Sequence, residues 1–416
     1  MGFVIRSNMG RAAHLRSRAG LVALLAVAGG ALGAPPARAD LLADRLGKAL
    51  AVPHLVSSQT GAIAIDLRTG RKVFAVNEGR GLLPASTEKL GVAFAALQTL
   101  GPEFRIETDV LGQGQIDGTT SDGDLVLKGF GDPTLSRADL RELARGVREF
   151  GIRRVTGGVV GDESYFDGRR IVAGWKASYL IGESPPLSAL IVDRALYGGR
   201  VTTSPALAAA LLFRAALRAA GVAVVGPARV ERSNAADFPL AFVHSAKLSA
   251  LVRYMGVESD NFTAEMLLKQ LGAQDGGHGT SASGAAVVTA ALRTAGIPLG
   301  GVRVVDGSGL SLLNRLTAAS LVTLLQTAWF DPDLRASFIP VLPVAGVSGT
   351  LRDRLRTPPA RGRVLAKTGT TNGASTLAGY VTGHYAFAVL HNGQPVATFW
   401  ARRAQDRFVT VLAASQ

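Results

Sequence analysis

The chain has 416 residues, 47% of them hydrophobic and 6% aromatic, with no cysteine and a formal net charge of +14. That length leaves room for two or three domains with a sizeable core, and the missing thiols exclude disulfides, a thiolate nucleophile, Cys-based metal sites and a lipidated N-terminal Cys. The six histidines stand in no zinc-ligand spacing and the sparse aromatics offer nucleic-acid bases little to stack on, so no metal, cofactor or nucleic-acid partner is expected.

Residues 1–39 have the form of a signal peptide. A basic, acid-free stretch ends at Arg18, an apolar run covers Ala19 to Gly33, and Ala37-Arg38-Ala39 offers a small-x-small cleavage site before Asp40. The run is too short to span a bilayer comfortably, and no later stretch reaches that length. The mature chain is therefore expected to begin after Ala39, to carry no transmembrane segment and to work in the periplasm or another extracytoplasmic wall space. Removing the five leader arginines from +14 leaves a body at about +9. Such a balance attracts an anionic polymer or surface, although arginine-rich solvated faces alone would also give it.

In the mature chain, apolar spacing predicts an opening helix over Leu41 to Leu50. Gly61 to Leu67 and Lys72 to Val76 read as a hairpin around the turn Arg68-Thr69-Gly70-Arg71. Pro84-Ala85 breaks the chain before Ser86, which opens an apolar helix reaching about Leu100. From about Glu103 short alternating segments take over (Ile106 to Leu111, Asp124 to Lys128, Arg154 to Gly161), with helices over Ala138 to Phe150 and Pro205 to Ala220. Helices return at Leu248 to Met255, Asn261 to Leu271, Ser281 to Ala295 and Ala318 to Ala328. Strands are expected at Arg363 to Lys367, Thr376 to Val381 and Ala386 to His391, before a closing helix over Ala401 to Ala414.

Three motifs carry the chemistry: Ser86-Thr87-Glu88-Lys89, Ser259-Asp260-Asn261 and Lys367-Thr368-Gly369-Thr370. The sequence holds one Ser-x-x-Lys, one Ser-x-Asn and one Lys-Thr-Gly, in the order a serine acyltransferase site requires. Three residues make nearly one helical turn, so Lys89 stands over Ser86. There it can act as general base once burial and a second cation, Lys367, lower its pKa. Ser259 is suited to pass a proton to the leaving amine, and Asn261 to orient Lys89 and the substrate amide. Lys367, read as starting the exposed edge of a strand, can pair with a substrate carboxylate, helped by the Thr368 and Thr370 hydroxyls. Gly369 lies between them, and the backbone N–H groups of Ser86 and Thr370 would form an oxyanion hole. Glu88 and Asp260 read as structural, and Asp306-Gly307-Ser308-Gly309 as a tight turn supporting the site.

With these motifs in place, the chain resembles the D-alanyl-D-alanine carboxypeptidase/endopeptidase family of class C low-molecular-mass penicillin-binding proteins, serine peptidases of the S13 type. Pro84-Ala85-Ser86, Gly131-Asp132-Pro133-Thr134-Leu135, Gly161-Asp162, Ser184-Pro185-Pro186, Val192-Asp193-Arg194, Asp306-Gly307-Ser308-Gly309-Leu310-Ser311 and Leu377-Ala378-Gly379-Tyr380 extend it along the mature chain. The resemblance implies an α/β (α+β) penicilloyl-serine-transferase fold: a central antiparallel sheet with flanking helices and a helical subdomain. A discontinuous catalytic domain, residues 40–103 and 246–416, would be interrupted by an inserted α+β domain, residues 104–245. It also implies hydrolysis of D-Ala-D-Ala termini or D-Ala cross-links in peptidoglycan stem peptides, with β-lactams as covalent inhibitors.

Two departures stand out. Ser188-Ala189-Leu190 is followed within about fifteen residues by Pro205, which leaves no room for the family's third domain. Trp175, a substrate-pocket candidate or else a packing aromatic, is followed by Lys176-Ala177-Ser178-Tyr179, where the family often carries an acid.

Three rivals remain: a β-lactamase, an esterase on the same fold, and a non-catalytic wall-binding protein. A class A β-lactamase needs a deacylating Glu after the Ser-Asp-Asn segment. Glu265 is the only Glu between Asn261 and Lys367, and the 173 residues separating Ser86 from Ser259 are too many for that class.

Overall fold

The computed structural model describes residues 36–274 and 277–415. The apolar run of the expected signal peptide lies outside the described residues. The expected cleavage site falls in the first turn of a helix, Pro36–Leu50. No helix among the described residues is long and apolar enough to cross a membrane.

A five-stranded antiparallel sheet organises the catalytic half. Its strand order is Val364–Thr371, Ala374–Val381, Tyr385–Asn392, Thr60–Asp66, Lys72–Val76. Side chains alternate between two buried faces, as a period of two requires. Ile63, Ile65, Ala378, Tyr380 and Ala388 pack against a helical layer. Ala62, Ala64, Leu377, Phe387 and Val389 pack against Leu46 of the first helix and Phe408 and Leu412 of the last, Thr398–Ala414. Sheet residues from both ends of the chain thus share one core.

The helical layer holds Lys89–Thr99, Leu248–Val257, Asn261–Gly272, Ser281–Thr294 and Ala318–Phe330, plus a short helix, Pro332–Phe338, that the sequence pattern did not signal. Lys89–Thr99 is its centre: Leu90, Val92, Phe94 and Ala96 are all fully buried. This helix is apolar on every side because neighbours surround it.

Residues between the two catalytic segments form three further sheets, of five, four and two strands, and the five-stranded one is the largest. Phe238–His244 and Glu107–Gly112 pair antiparallel, and Leu125–Gly129, Val159–Asp162 and Ala228–Val230 continue the sheet. Its apolar face is covered by Arg137–Glu149 and Pro205–Ala219, which bring Leu140, Leu143, Val147, Phe213 and Leu217 into one cluster. The edge strand Phe238–His244 was not anticipated, because its apolar residues keep no clean alternation. After Ser188-Ala189-Leu190 the chain makes only a small ribbon, Leu196–Tyr197 against Arg200–Val201, before entering the Pro205 helix.

Candidate active site

Ser86 does not open an α-helix as the spacing suggested. It lies in a 3₁₀ turn, Ala85–Glu88, and the α-helix begins at Lys89. Ala85 takes a left-handed backbone conformation, φ 45°. In a three-residue turn, positions i and i+3 eclipse, which sets Lys89 directly beside Ser86. Two threonines pin the turn: Thr376 Oγ1 and Thr87 Oγ1 both donate to the Pro84 carbonyl, at 2.8 and 2.7 Å.

Lys89 is fully buried and spends all three of its N–H donors, on Ser86 Oγ (2.9 Å), Asn261 Oδ1 (2.9 Å) and the Ser308 carbonyl (2.7 Å). Two of these partners are carbonyl oxygens, which only accept. A neutral Lys89 keeps two N–H bonds, and those carbonyls claim both. Its lone pair is then left facing the Ser86 hydroxyl, the geometry a general base needs. Burial brings its pKa down to about 8, against the opposing pull of Asp306, Glu265, Asp260 and Glu88.

Lys367 occupies the middle of the strand Val364–Thr371 and is fully buried, so it does not begin an exposed edge. It donates to Ser259 Oγ at 2.8 Å and to the Thr368 carbonyl at 2.9 Å, with one N–H remaining. Burial, then the Lys89 charge, holds its pKa well below the usual lysine range. Of the two causes expected to lower the Lys89 pKa, burial acts and repulsion from Lys367 does not. Ser259, like Ala85, sits at positive φ, 59°. Strained backbone of this kind persists where surrounding contacts over-determine it.

Gly369 shows how closely the strand approaches the nucleophile. A Cβ there would fall 2.9 Å from Ser86 N and 2.8 Å from the Pro84 carbonyl oxygen. Only a glycine lets the two backbones lie side by side. Thr368 donates to Thr350 Oγ1 at 2.7 Å, and the exposed Thr370 accepts from Arg402 at 3.4 Å.

Several supports were only partly legible. The Asp306-Gly307-Ser308-Gly309 turn does more than brace the site, since the Ser308 carbonyl holds Lys89. The turn is itself held by Glu265, whose Oε1 accepts from Gly307 N (3.0 Å) and Ser308 N (2.7 Å), and by Asp306, which accepts from Gly309 N and Ser311 N. Burial pushes Glu265 up to about 8 and Glu88 well above the carboxylate range. Glu265 stands four residues after Asn261, one helical turn on, and that spacing is the signal that could have placed it here. Asp260 caps the Asn261 helix through Thr263 N (2.7 Å) and pairs with Arg194 at 2.9 Å. Nothing in the sequence pattern links those two positions. Asn261 Nδ2 donates to the Glu183 carbonyl at 3.1 Å, which fixes the amide whose oxygen accepts from Lys89.

Trp175 is half-buried, with its indole N–H donated to Asp306 Oδ2 at 2.8 Å. It braces the Asp306 turn, and the packing reading is the one its contacts support. The neighbouring Lys176 and Tyr179 instead line a cavity of about 920 Å³ that reaches Thr371 at the end of the catalytic strand.

A profile of the D-Ala-D-Ala carboxypeptidase 3 (S13) family matches residues 42–205 and 198–415, nearly all of the described chain. The chain belongs to this family. It is 32% identical over 454 aligned positions to a D-alanyl-D-alanine carboxypeptidase of Actinomadura sp. (strain R39), covering 87% of this chain and 84% of that one. Carboxypeptidase DacB of Mycolicibacterium smegmatis is 33% identical, over 92% of this chain and 85% of its own. The fold is that of penicillin binding protein 4 from Haemophilus influenzae, with a TM-score of 0.76 at 24% identity, covering 88% of this chain and 98% of that one. Ser86, Lys89, Ser259, Asn261 and Lys367 thus converge in a serine peptidase of the S13 family.

Proposed function

We propose that this S13 peptidase is exported and hydrolyses D-Ala-D-Ala termini or D-Ala cross-links of peptidoglycan stem peptides through an acyl-enzyme on Ser86. Neutral Lys89 takes the Ser86 proton as Oγ adds to the carbonyl of the penultimate D-Ala. The backbone N–H groups of Ser86 and Thr370 hold the oxyanion. Collapse breaks the C–N bond, and the leaving amine receives its proton through Ser259. Lys367, Thr368 and Thr370 hold the carboxylate next to the scissile amide, and water then releases the acyl group from Ser86. The observation that carries this reading is the saturated Lys89, whose two carbonyl acceptors aim its lone pair at Ser86.

Release of free D-Ala from diacyl-Lys-D-Ala-D-Ala tests it, with Ser86→Ala abolishing release. Mass spectrometry after incubation with penicillin is expected to find the adduct on Ser86, which a non-catalytic wall-binding protein would not form. An esterase would acylate yet ignore the D-Ala-D-Ala peptide. The adduct should be long-lived, because Glu265, the deacylation candidate, is committed to the Gly307 and Ser308 amides. Rapid nitrocefin turnover would instead mark a β-lactamase. The short ribbon after Leu190 supports the absence of the family's third domain in this chain.

A further inference from the structure

The cavity of about 920 Å³ beside Lys176 and Tyr179 shares three backbone segments with the reacting groups. Leu83, three residues before Ser86, lines it, and so does Thr371, two residues beyond Gly369 on the catalytic strand. Leu312 also lines it, next to Ser311, whose backbone N–H binds Asp306. The Leu83 wall is fixed from the sheet: Asn392 Oδ1 accepts from Leu83 N at 2.7 Å, and its Nδ2 donates to the Leu83 carbonyl at 3.1 Å. Tyr179 is set edge-on against Trp175, with ring centres 6.5 Å apart. The Ser86 turn, the Val364–Thr371 strand and the Asp306 turn therefore bound both the cleft and this cavity.

The direction in which a substrate lies decides what reaches it. In the reading proposed above, the leaving residue's carboxylate sits at Lys367 and Thr368, and the reacting carbonyl at the Thr370 amide. From leaving group to acyl arm, the substrate thus follows the strand Val364–Thr371 toward its C-terminal end. One residue of extended chain spans about 3.4 Å. The residue preceding the acylated D-Ala is then level with Thr371 and Asn372, both of which line the cavity.

The charge here has one sign. Arg80, Lys176 and Arg315 line the cavity, no carboxylate does, and the remaining polar side chains, Gln59, Thr371, Asn372, Asn392 and Gln394, are neutral. None of the three cations enters an ion pair among the described residues. Arg80 and Lys176 are exposed, and the Lys176 ammonium lies 5.9 Å from the centre of the Tyr179 ring. Arg315 is half-buried and held in place through Nη1, which donates to the Leu312 and Asn314 carbonyls at 2.8 and 2.6 Å. An ammonium entering this space meets only like charge, whereas a carboxylate meets three cations. We propose that the cavity receives the side chain preceding the acylated D-Ala and selects one ending in a carboxylate over one ending in a free ammonium. This rests on the Ser86 reading and deepens it by naming the substrate class. It also reverses the sign of the wall relative to the acid that the family often carries after this Trp.

The test reads a ratio within one protein. Nα-acetyl-X-D-Ala-D-Ala is assayed with X as Nε-succinyl-lysine, Nε-acetyl-lysine or lysine, giving an anionic, a neutral and a cationic end. D-Ala release by the wild-type enzyme should rank them in that order, with kcat/KM about tenfold higher for the first than for the last. The difference should lie mainly in KM and shrink with added salt. Lys176→Glu combined with Arg80→Ser should abolish or invert the preference for the succinyl peptide. Misfolding lowers both rates alike, so the ratio is independent of it. Reversing an exposed cation on the last helix, by Arg407→Glu, should leave the wild-type ratio in place. Equal or inverted rates in the wild type, a ratio that survives the double substitution, or one that Arg407→Glu shifts as much would each overturn the proposal. If no peptide releases D-Ala, the Ser86 reading falls. Equilibrium binding of the succinyl and lysine peptides to Ser86→Ala protein then decides about the cavity, and a preference below about twofold for the succinyl peptide would sink it.

Discussion

The two ends of the cleft each bury a lysine, and they treat it differently. Lys89 sits among carboxyl groups, two neutral carbonyls and the nucleophile, and its pKa comes down only to about 8. Lys367 faces a serine hydroxyl, one carbonyl and another lysine, and its pKa is held well below the usual lysine range. Burial alone does not decide what a buried lysine does. Acidic neighbours keep Lys89 near neutrality, where a base is most effective. Lys367 has no such neighbour, so its charge is stabilised only when an anion arrives, which suits a residue that waits for the substrate carboxylate.

The largest effect should come from removing the base. Lys89→Met is expected to cut acylation by penicillin about 10³-fold or more, the upper part of the usual range for general bases. In the wild-type enzyme acylation should rise as pH climbs through about 8 and level off above it, because only the neutral amine accepts the Ser86 proton. At pH 7 about a tenth of the lysine is free. A rate that fell as pH rose from 6 to 8 would break the contrast between the two lysines. Lys367→Met comes next. It should lower kcat/KM for carboxylate-bearing peptides about 100-fold, mainly through KM. With an acyl donor lacking that carboxylate, the pH midpoint should stay near the wild-type value, since Lys367 is not among the groups that shift Lys89. A midpoint displaced by more than about one pH unit would mean that the lysines depress each other after all.

These asymmetries bear on what could be read from the chain itself. Ser86, Lys89, Ser259, Asn261 and Lys367 were legible because each belongs to a short motif whose spacing has a chemical meaning, and the structure brings all five together. The long helices were legible from their apolar repeat. The 3₁₀ turn at Ser86 was not, because it is imposed by contacts from Thr376 and by the left-handed Ala85. The segments holding Arg194 and Ser308 were noted, but the contacts of Arg194, Glu183 and the Ser308 carbonyl were not legible, because backbone acceptors and surface charges become functional only when tertiary packing aims them. Burial was anticipated as a cause of the Lys89 shift, whereas the opposing pull of Asp306 and Glu265 depends on packing that the motifs do not record.

Glu265 sharpens the contrast at smaller amplitude. Glu265→Ala leaves the amides of Gly307 and Ser308 without an acceptor, at a cost of about 1–3 kcal/mol in unfolding free energy. Because Ser308 carries the carbonyl that holds Lys89, acylation should also fall about tenfold. Glu265→Gln keeps the acceptor and should restore most of both. It also removes a carboxyl that raises the Lys89 pKa, so its acylation profile should shift toward lower pH. A shift toward higher pH would show that Glu265 acts on Lys89 by some route other than charge.

The smallest effect belongs to Trp175. Asp306 gathers donors from Gly309 N, Ser311 N, Asn314 Nδ2, Ser308 Oγ and the Trp175 indole. Trp175→Phe deletes one of these five and keeps the ring's packing, so it should cost about 1 kcal/mol in thermal or denaturant unfolding. Acylation by penicillin should drop only a few-fold, because four donors still fix the turn that presents the Ser308 carbonyl to Lys89. A substrate-pocket residue would behave in the opposite way, with stability untouched and KM changing strongly from one stem peptide to another. A stem-peptide-dependent KM in Trp175→Phe, at unchanged unfolding free energy, would therefore move Trp175 from the scaffold of the Lys89 end into the substrate-binding wall.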